Sequence, residues 1–376
     1  QFSIKPTIMG SRSSILNRKV VLTCFMKKVT YQQVADALNI SRVTVWRAVN
    51  DKPGISPDTK HMILQKAVEM GYPVSILNQG RQEDSFHATK DSFNDSSKKI
   101  SNVAVVVSRP ETSNFWMSII HYQAITLASQ GINLMYVYLP PTYSDTFTLP
   151  SCLTDGSVSG IIVMNIYDPR LFSALNDLSI TKVFLDCPTN TIFSTLNGDL
   201  FLIEGRANTE EIVEHMIESG KKRIHFIGDI AYAQTNKELY LGYLKAMQRH
   251  QLSVNEIDNL ISPIGIDQYK ETISAYLDRI IKRSDAIVCA NDYIASLVLQ
   301  YCQKNKISVP NDLYVSGFDD NQEFNNSIAL TSVHVNNDRI GVHLANRLVH
   351  RLTHPDDDYE YTYIRSRTVY RESTND

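Results

Sequence analysis

The chain has 376 residues, 43% of them apolar and 20% charged, which is ordinary for a globular protein with room for two or more cores. No apolar run approaches the roughly eighteen residues needed to span a bilayer as a helix. The net charge of −3 is unevenly placed: residues 1–80 carry 11 Lys and Arg against 4 Asp and Glu, the rest 26 against 36. A basic front end on an acidic body suits a small nucleic-acid module carried by a larger sensing or assembly domain.

Residues 1–25 hold no acid and only the short apolar run Val20-Val21-Leu22, unsuited to a signal peptide, and they read as a non-native or disordered leader ahead of Met26. From Thr30 to Asn50 the pattern is two short helices around a tight polar turn. Thr30 is placed to cap the first, with Gln33 at capping-box spacing, and Val34, Ala35 and Leu38 share a face. Asn39-Ile40-Ser41 breaks the run, and Ser41 caps the second helix, in which Val45, Ala48 and Val49 turn inward. That spacing leaves Arg42, Val43, Thr44, Trp46 and Arg47 outside, a face suited to the DNA major groove. An ordinary helical hairpin with a solvated charged face is the plain alternative. Ser56-Pro57-Asp58 starts a third helix that Gly71 stops, completing a helix-turn-helix headpiece over 26–75.

These residues resemble the opening of the LacI–GalR family of bacterial transcription regulators. Its VT…VA…A…S…TVSR.LN pattern is met by Val29, Thr30, Val34, Ala35, Ala37, Ser41, Thr44, Val45, Arg47 and Asn50. Its following stretch is met by Ile55-Ser56, Thr59-Lys60, Ile63, Ala67 and Gly71-Tyr72. The resemblance implies DNA contacts from Thr30, Ser41, Arg42, Val43, Thr44, Trp46, Arg47 and Asn50. Trp46 stands where the family has a small Ser, so at least one backbone contact must differ.

Residues 76–100 are polar and aperiodic and read as a hinge or linker. Arg81 stands where the family's hinge carries a Leu that wedges into the minor groove. From Ile100 the rhythm becomes strand and helix in alternation. Val103–Val107 is a continuous apolar run, as expected of a buried parallel strand. Further strands are predicted over 132–138, 160–164, 182–185, 223–227, 286–290, 313–318 and 361–369. Helices are predicted up to Gln130 and over 169–178, 207–219, 236–250, 267–283, 292–304 and 340–352. Two such α/β sets make two doubly wound parallel-sheet lobes with a cleft between them.

The second region resembles the type I periplasmic-binding-protein-like effector domain of the same family, through SNFWMSII at 113–120, SGIIVM at 159–164, HMIESGKKRIHFIGD at 215–229, AND at 290–292, GFDD at 317–320 and LTSVHV at 330–335. The resemblance implies three crossings between lobes, with 101–188 and 311–336 in one lobe and 189–310 and 337–376 in the other. It also implies dimerisation through 101–376 and a small-molecule effector in the cleft, a sugar or related metabolite being one class. Phe115 and Trp116 fall where the family stacks aromatics on its effector, and Asp292 falls at its Asn-Asp position. Core packing for either aromatic, and a helix cap for Asp292, are the structural alternatives. The Arg usual three residues before Gly242 is replaced by Leu239, with Asn236 and Lys237 as nearby substitutes. An aromatic wall with one carboxylate favours a neutral or cationic ligand over an anionic one.

The sequence offers no GxSxG, HExxH or phosphate-binding Gly-rich loop, and its histidines lack metal spacing, so neither an enzyme nor a cofactor is expected. Asp319-Asp320 reads as a pair of loop acids in solvated or turn-forming roles. The five cysteines are widely spaced without CxxC, which points to reduced thiols in a cytoplasm. The reading is a homodimeric regulator, a repressor, bound to a palindromic operator in double-stranded DNA. A sugar-binding protein of the periplasmic type is the rival that residues 101–376 alone would allow.

Overall fold

The computed structural model describes residues 31–49, 54–70, 100, 102–108, 114–265, 268–321, 323 and 328–375. The leader expected over 1–25, the hinge, Thr30 and Asn50 lie outside them. The chain divides into two compact units, Gln1–Asp95 and Ser96–Asp376.

In the first unit three helices, α1 (Tyr31–Leu38), α2 (Arg42–Val49) and α3 (Pro57–Glu69), enclose a small core of Val34, Ala35, Val45, Ala48, Ile63 and Ala67. Asn39 adopts a left-handed φ of 53° between α1 and α2, which Asn tolerates because its short polar side chain bonds locally. Ser41 then caps α2: its Oγ accepts from Thr44 N at 3.1 Å and bonds Thr44 Oγ1 at 2.7 Å. Ser56 repeats the device on α3 through Thr59. The turn chemistry expected of the polar breaks at 41 and 56 is therefore present.

The second unit is built on two parallel sheets. The larger contains β1 (Asn102–Val107), β2 (Asn133–Tyr138), β3 (Gly160–Met164), β4 (Thr181–Leu185), β5 (Asp199–Ile203) and β10 (Tyr361–Ile364), in the order β10-β5-β4-β3-β1-β2. Alternation along β1 explains why it is apolar throughout. Val103, Val105 and Val107 pack under α4 (Asn114–Ala128) and α10 (Asn337–Thr353), whereas Ala104 and Val106 join the opposite core with Leu171, Phe172 and Leu175 of α5 (Pro169–Asn176). The smaller sheet contains β6 (Ile224–Ile227), β7 (Ala286–Cys289) and β8 (Tyr314–Ser316). It is covered by α6 (Arg206–Glu218), α7 (Gln234–Arg249), α8 (Tyr269–Ile280) and α9 (Asp292–Lys304). An antiparallel pair, β9 (Ser332–His334) with β11 (Arg367–Val369), extends this lobe beside β8 through the Ser316–Thr331 bridge.

This pairing corrects the expected division into lobes. Residues 199–203, 337–353 and 361–364 belong with the first sheet, and 314–316 with the second. The crossings fall near 204–206, 335–337 and 365–366. The stretch expected as one late strand over 361–369 is two strands in different sheets, and β5 was not anticipated at all.

The physical reason is a buried charge cluster. Asp199, fully buried at the start of β5, accepts from Arg347 Nε at 2.7 Å, Arg351 Nη2 at 2.8 Å and Glu360 N at 2.8 Å. One carboxylate thus ties β5, α10 and the approach to β10 into one lobe. Removing it would leave Arg351, only 3% exposed, without an anion, and Arg347 with only the exposed Glu360 carboxylate at 3.1 Å. Asp199→Ala should therefore cost about 3–5 kcal/mol, measured by thermal and urea unfolding of the full chain. A loss below about 1 kcal/mol, the ceiling for a surface ion pair, would show that the cluster does not hold the lobe together.

Candidate functional site

In the headpiece, α2 exposes Val43 at 58% and Trp46 at 44%, with Ser41, Arg42 and Arg47 also exposed and Thr44 half-buried. Val45 and Ala48 are buried on the opposite side. Two cations, two hydroxyls and two apolar groups thus share a helix of about two turns and its capping residue, and the helix's inward face is committed to a core. The Arg47 guanidinium lies near Gly54, whose left-handed φ of 99° would strain any other residue.

In the second unit a cleft of about 400 Å³ opens between the lobes at the C-terminal ends of the strands. The first lobe contributes Phe115 and Trp116 from the start of α4, Asn165 and Tyr167 after β3, Leu185 and Asp186 after β4, and Ile203 at the end of β5. The second contributes Tyr232, Ala233, Thr235 and Asn236 at α7, Tyr269 at α8, Ala290, Asn291 and Tyr293 at α9, and Phe318, Asp319 and Asn321 after β8. The rim is partly fastened. Thr189 Oγ1 donates to Ile230 O at 2.9 Å, Tyr167 and Tyr232 rings meet at 4.6 Å, and Asn114 N donates to Glu323 Oε1 at 2.9 Å.

The expected effector residues divide. Phe115, Trp116 and Asn236 line the cleft, the two rings edge to face at 5.0 Å and Asn236 Nδ2 donating to Asp229 O at 2.9 Å. Asp292 does not line it. It is 2% exposed, and its two oxygens accept from Ser332 Oγ at 2.7 Å and Asn321 N at 2.6 Å. It sits against Gly317, where a Cβ would overlap its Oδ1, so it braces the loops behind the cleft. Asn291, one residue earlier, caps α9 by accepting from Ile294 N at 2.8 Å and lines the cleft in its place. Lys237 also turns away, donating to Asn190 Oδ1 at 2.8 Å on the facing lobe. Leu239 is core, packed beneath Gly205, so its position supplies no polar group to a ligand.

Two acids missed in the sequence line the cleft instead. Asp186, with a left-handed φ of 63°, accepts from Cys187 N at 2.8 Å, Tyr167 OH at 3.1 Å and Thr235 N at 3.3 Å. Burial outweighs those bonds and pushes its pKa up to about 6. Asp319 follows β8 with φ 106°, and burial, reinforced by the neighbouring Asp292, pushes its carboxyl well above the usual range. Asp320 is not a solvated loop acid either, since Arg371 Nη2 reaches it at 2.6 Å and His334 Nδ1 lies at 3.0 Å. Both missed acids end apolar strands, VFLD and VSGFD. That position, read with the rule that cleft residues follow parallel strands, is the signal that would have found them.

A periplasmic binding protein-like domain model matches residues 213–374. Catabolite control protein A of Staphylococcus xylosus is 24% identical over 299 residues, covering 77% of this chain and 82% of that protein. The HTH-type transcriptional repressor PurR of Haemophilus influenzae is 24% identical over 350 residues, covering 92% and 98%. Among solved structures, a transcriptional regulator CelR–cellobiose complex superposes with a TM-score of 0.63 at 20% identity, over 92% of this chain and all of that one. A lac repressor dimer bound to operator and the anti-inducer ONPF gives 0.61 at 19%, over 93% and 99%. These likenesses show the two-lobed fold that the alternating strands and helices anticipated. Among the described residues no helix is long and apolar enough to cross a membrane, and no group of His, Cys, Asp or Glu is arranged to hold a metal ion.

The buried acids set a pH dependence. Burial raises the Asp292 carboxyl to about 7. A raised folded-state pKa gives stability that is complete below the unfolded value near 4 and is lost as the pH rises through about 7. Buried His225, whose pKa is lowered, has the opposite slope, but only below its unfolded value near 6.5. The melting temperature of the full chain should therefore fall between pH 6.5 and 8. Asp292→Asn should flatten that fall in part, the raised Asp319 carboxyl supplying the rest, and an unchanged slope would show that Asp292 stays charged.

Proposed function

We propose that this chain, a member of the LacI–GalR family of bacterial transcription regulators, binds a palindromic operator as a homodimer and represses transcription. A small-molecule effector in the interlobe cleft would control that binding. The observation that carries the reading is the pairing of an exposed Arg42–Arg47 face on a capped second helix with an α/β unit whose cleft opens at strand ends. A solute-binding protein would need only the second unit, and nothing in that role uses a helix that exposes Val43 and Trp46 to solvent. The similar regulators and the operator-bound lac repressor support the DNA-binding reading, and the CelR–cellobiose complex supports a small ligand in the cleft. Such a regulator works on DNA in the cytoplasm.

Arg42 and Arg47 would reach base edges, Val43 and Trp46 would meet apolar groove surface, and Ser41 and Thr44 would hold phosphates. Thr30 and Asn50, at the helix ends in sequence, are assigned to phosphates as well. The effector would favour one relative setting of the lobes, and the spacing of paired headpieces would follow, as a shift between two populations.

Arg42→Ala and Arg47→Ala should each weaken binding to the preferred duplex by about 1–3 kcal/mol while changing random-sequence affinity far less. Electrophoretic titration of both duplexes measures the difference. If neither substitution narrows the gap between preferred and random DNA, α2 does not read sequence.

A further inference from the structure

The cleft holds two acids with no cation to answer them, and this inference, which deepens the effector reading and rests on it, concerns what that pair selects. Two carboxylates line the cleft, Asp186 on the first lobe and Asp319 on the second, and its described lining holds no Lys or Arg. The cations that could have answered them are engaged elsewhere. Lys237 donates to Asn190, Arg371 to Asp320, and Arg206 pairs with Glu238 at 2.7 Å. Asp186 receives only neutral donors, from Cys187, Thr235 and the Tyr167 hydroxyl. Among the described residues no hydrogen-bond donor reaches the Asp319 carboxyl, and the group behind it, Asp292, is a second acid that opposes its ionisation.

A neutral polyol could donate to either acid but would seal both into a drier cavity without a counter-charge, which the cost of burying an unpaired carboxylate opposes. An anion would add to that cost. A protonated amine answers it, since its donors serve both acids and its charge balances them. The remaining walls suit the same group, because Trp116, Tyr232 and Tyr293 present aromatic rings able to hold a cation. We propose that the cleft selects a small ligand carrying a protonated amine on a flat or apolar body, seated between Asp186 and Asp319.

The selection should depend on pH. Asp186 faces Cys187, Thr235 and Tyr167, and Asp319 faces Asp292, with Asp320 and His334 beside it. The guanidinium in this group, Arg371, is bound to Asp320 at 2.6 Å, and no Lys or Arg is hydrogen-bonded to Asp186 or Asp319 among the described residues. As the pH falls through about 6, Asp186 takes up a proton and the preference for a cation weakens.

The chain contains two tryptophans, Trp46 and Trp116, so Trp46→Phe leaves Trp116 as the sole reporter while altering only the other compact unit. In that full-length background, Trp116 fluorescence is titrated with benzylamine and with its neutral counterpart benzyl alcohol, at pH 7.5 and pH 5. The expected result is an affinity for benzylamine at least about tenfold above that for the alcohol at pH 7.5, narrowing at pH 5. Asp186→Asn and Asp319→Asn, with folding checked by circular dichroism, should each reduce the preference. Equal affinities, or tighter binding of the alcohol, would overturn the amine proposal and leave the effector reading standing. No response of Trp116 to either probe would count against both.

Discussion

The architecture of the larger unit depends on where one carboxylate is buried. Asp199 sits at the start of β5 with Arg347 and Arg351 of α10 closing on it, so the chain that has travelled through the second lobe must return to the first. That return creates the second crossing, and β10 beside β5 followed by β11 beside β9 creates the third. Three short connectors of opposite origin then join the lobes. Each lobe keeps its own parallel sheet and its own covering helices, and the cleft lies where the strand ends of the two face each other. The cost of burying so many charges is met by mutual pairing and by the backbone amide of Glu360.

The same economy of charge explains the cleft. Cations near it are spent on fastening loops, whereas Asp186 and Asp319 are placed at its walls without them. Asp292, the acid nearest in sequence pattern to a ligand group, is committed to Ser332 and to the backbone of Asn321. It therefore acts on the cleft indirectly, by holding the loop after β8 in the strained shape that brings Asp319 to the wall. Three carboxylates in similar surroundings thus have separate duties, set by which donors reach each one.

Much of this was legible in the residues. The headpiece could be read because its signals are local: a Ser before each of α2 and α3, a breaker at Asn39, and apolar spacing that leaves Arg42 and Arg47 outside. The parallel strands were legible for a similar reason, since Val103–Val107 or Gly160–Met164 can only be buried on both faces. β5 escaped because it opens on Asp199, whose burial depends on arginines roughly 150 positions later, and no local pattern reveals that. The lobe division failed on the same ground, because strand pairing is non-local. In the site, Phe115, Trp116 and Asn236 stand at helix starts, a position readable in sequence, and they line the cleft. Asp292 and Lys237 were misjudged because position along the chain does not say whether a side chain points to a cleft or to a neighbour.

The proposed function turns on sequence-specific recognition of duplex DNA by the exposed face of α2. Its most direct test is selection of bound duplexes from a random pool by the full chain, compared with a chain beginning at Ser96. The full chain should enrich one inverted repeat with fixed half-site spacing, and the shortened chain should enrich none. Enrichment of the same repeat by both chains, or of no repeat by the full chain, would contradict it.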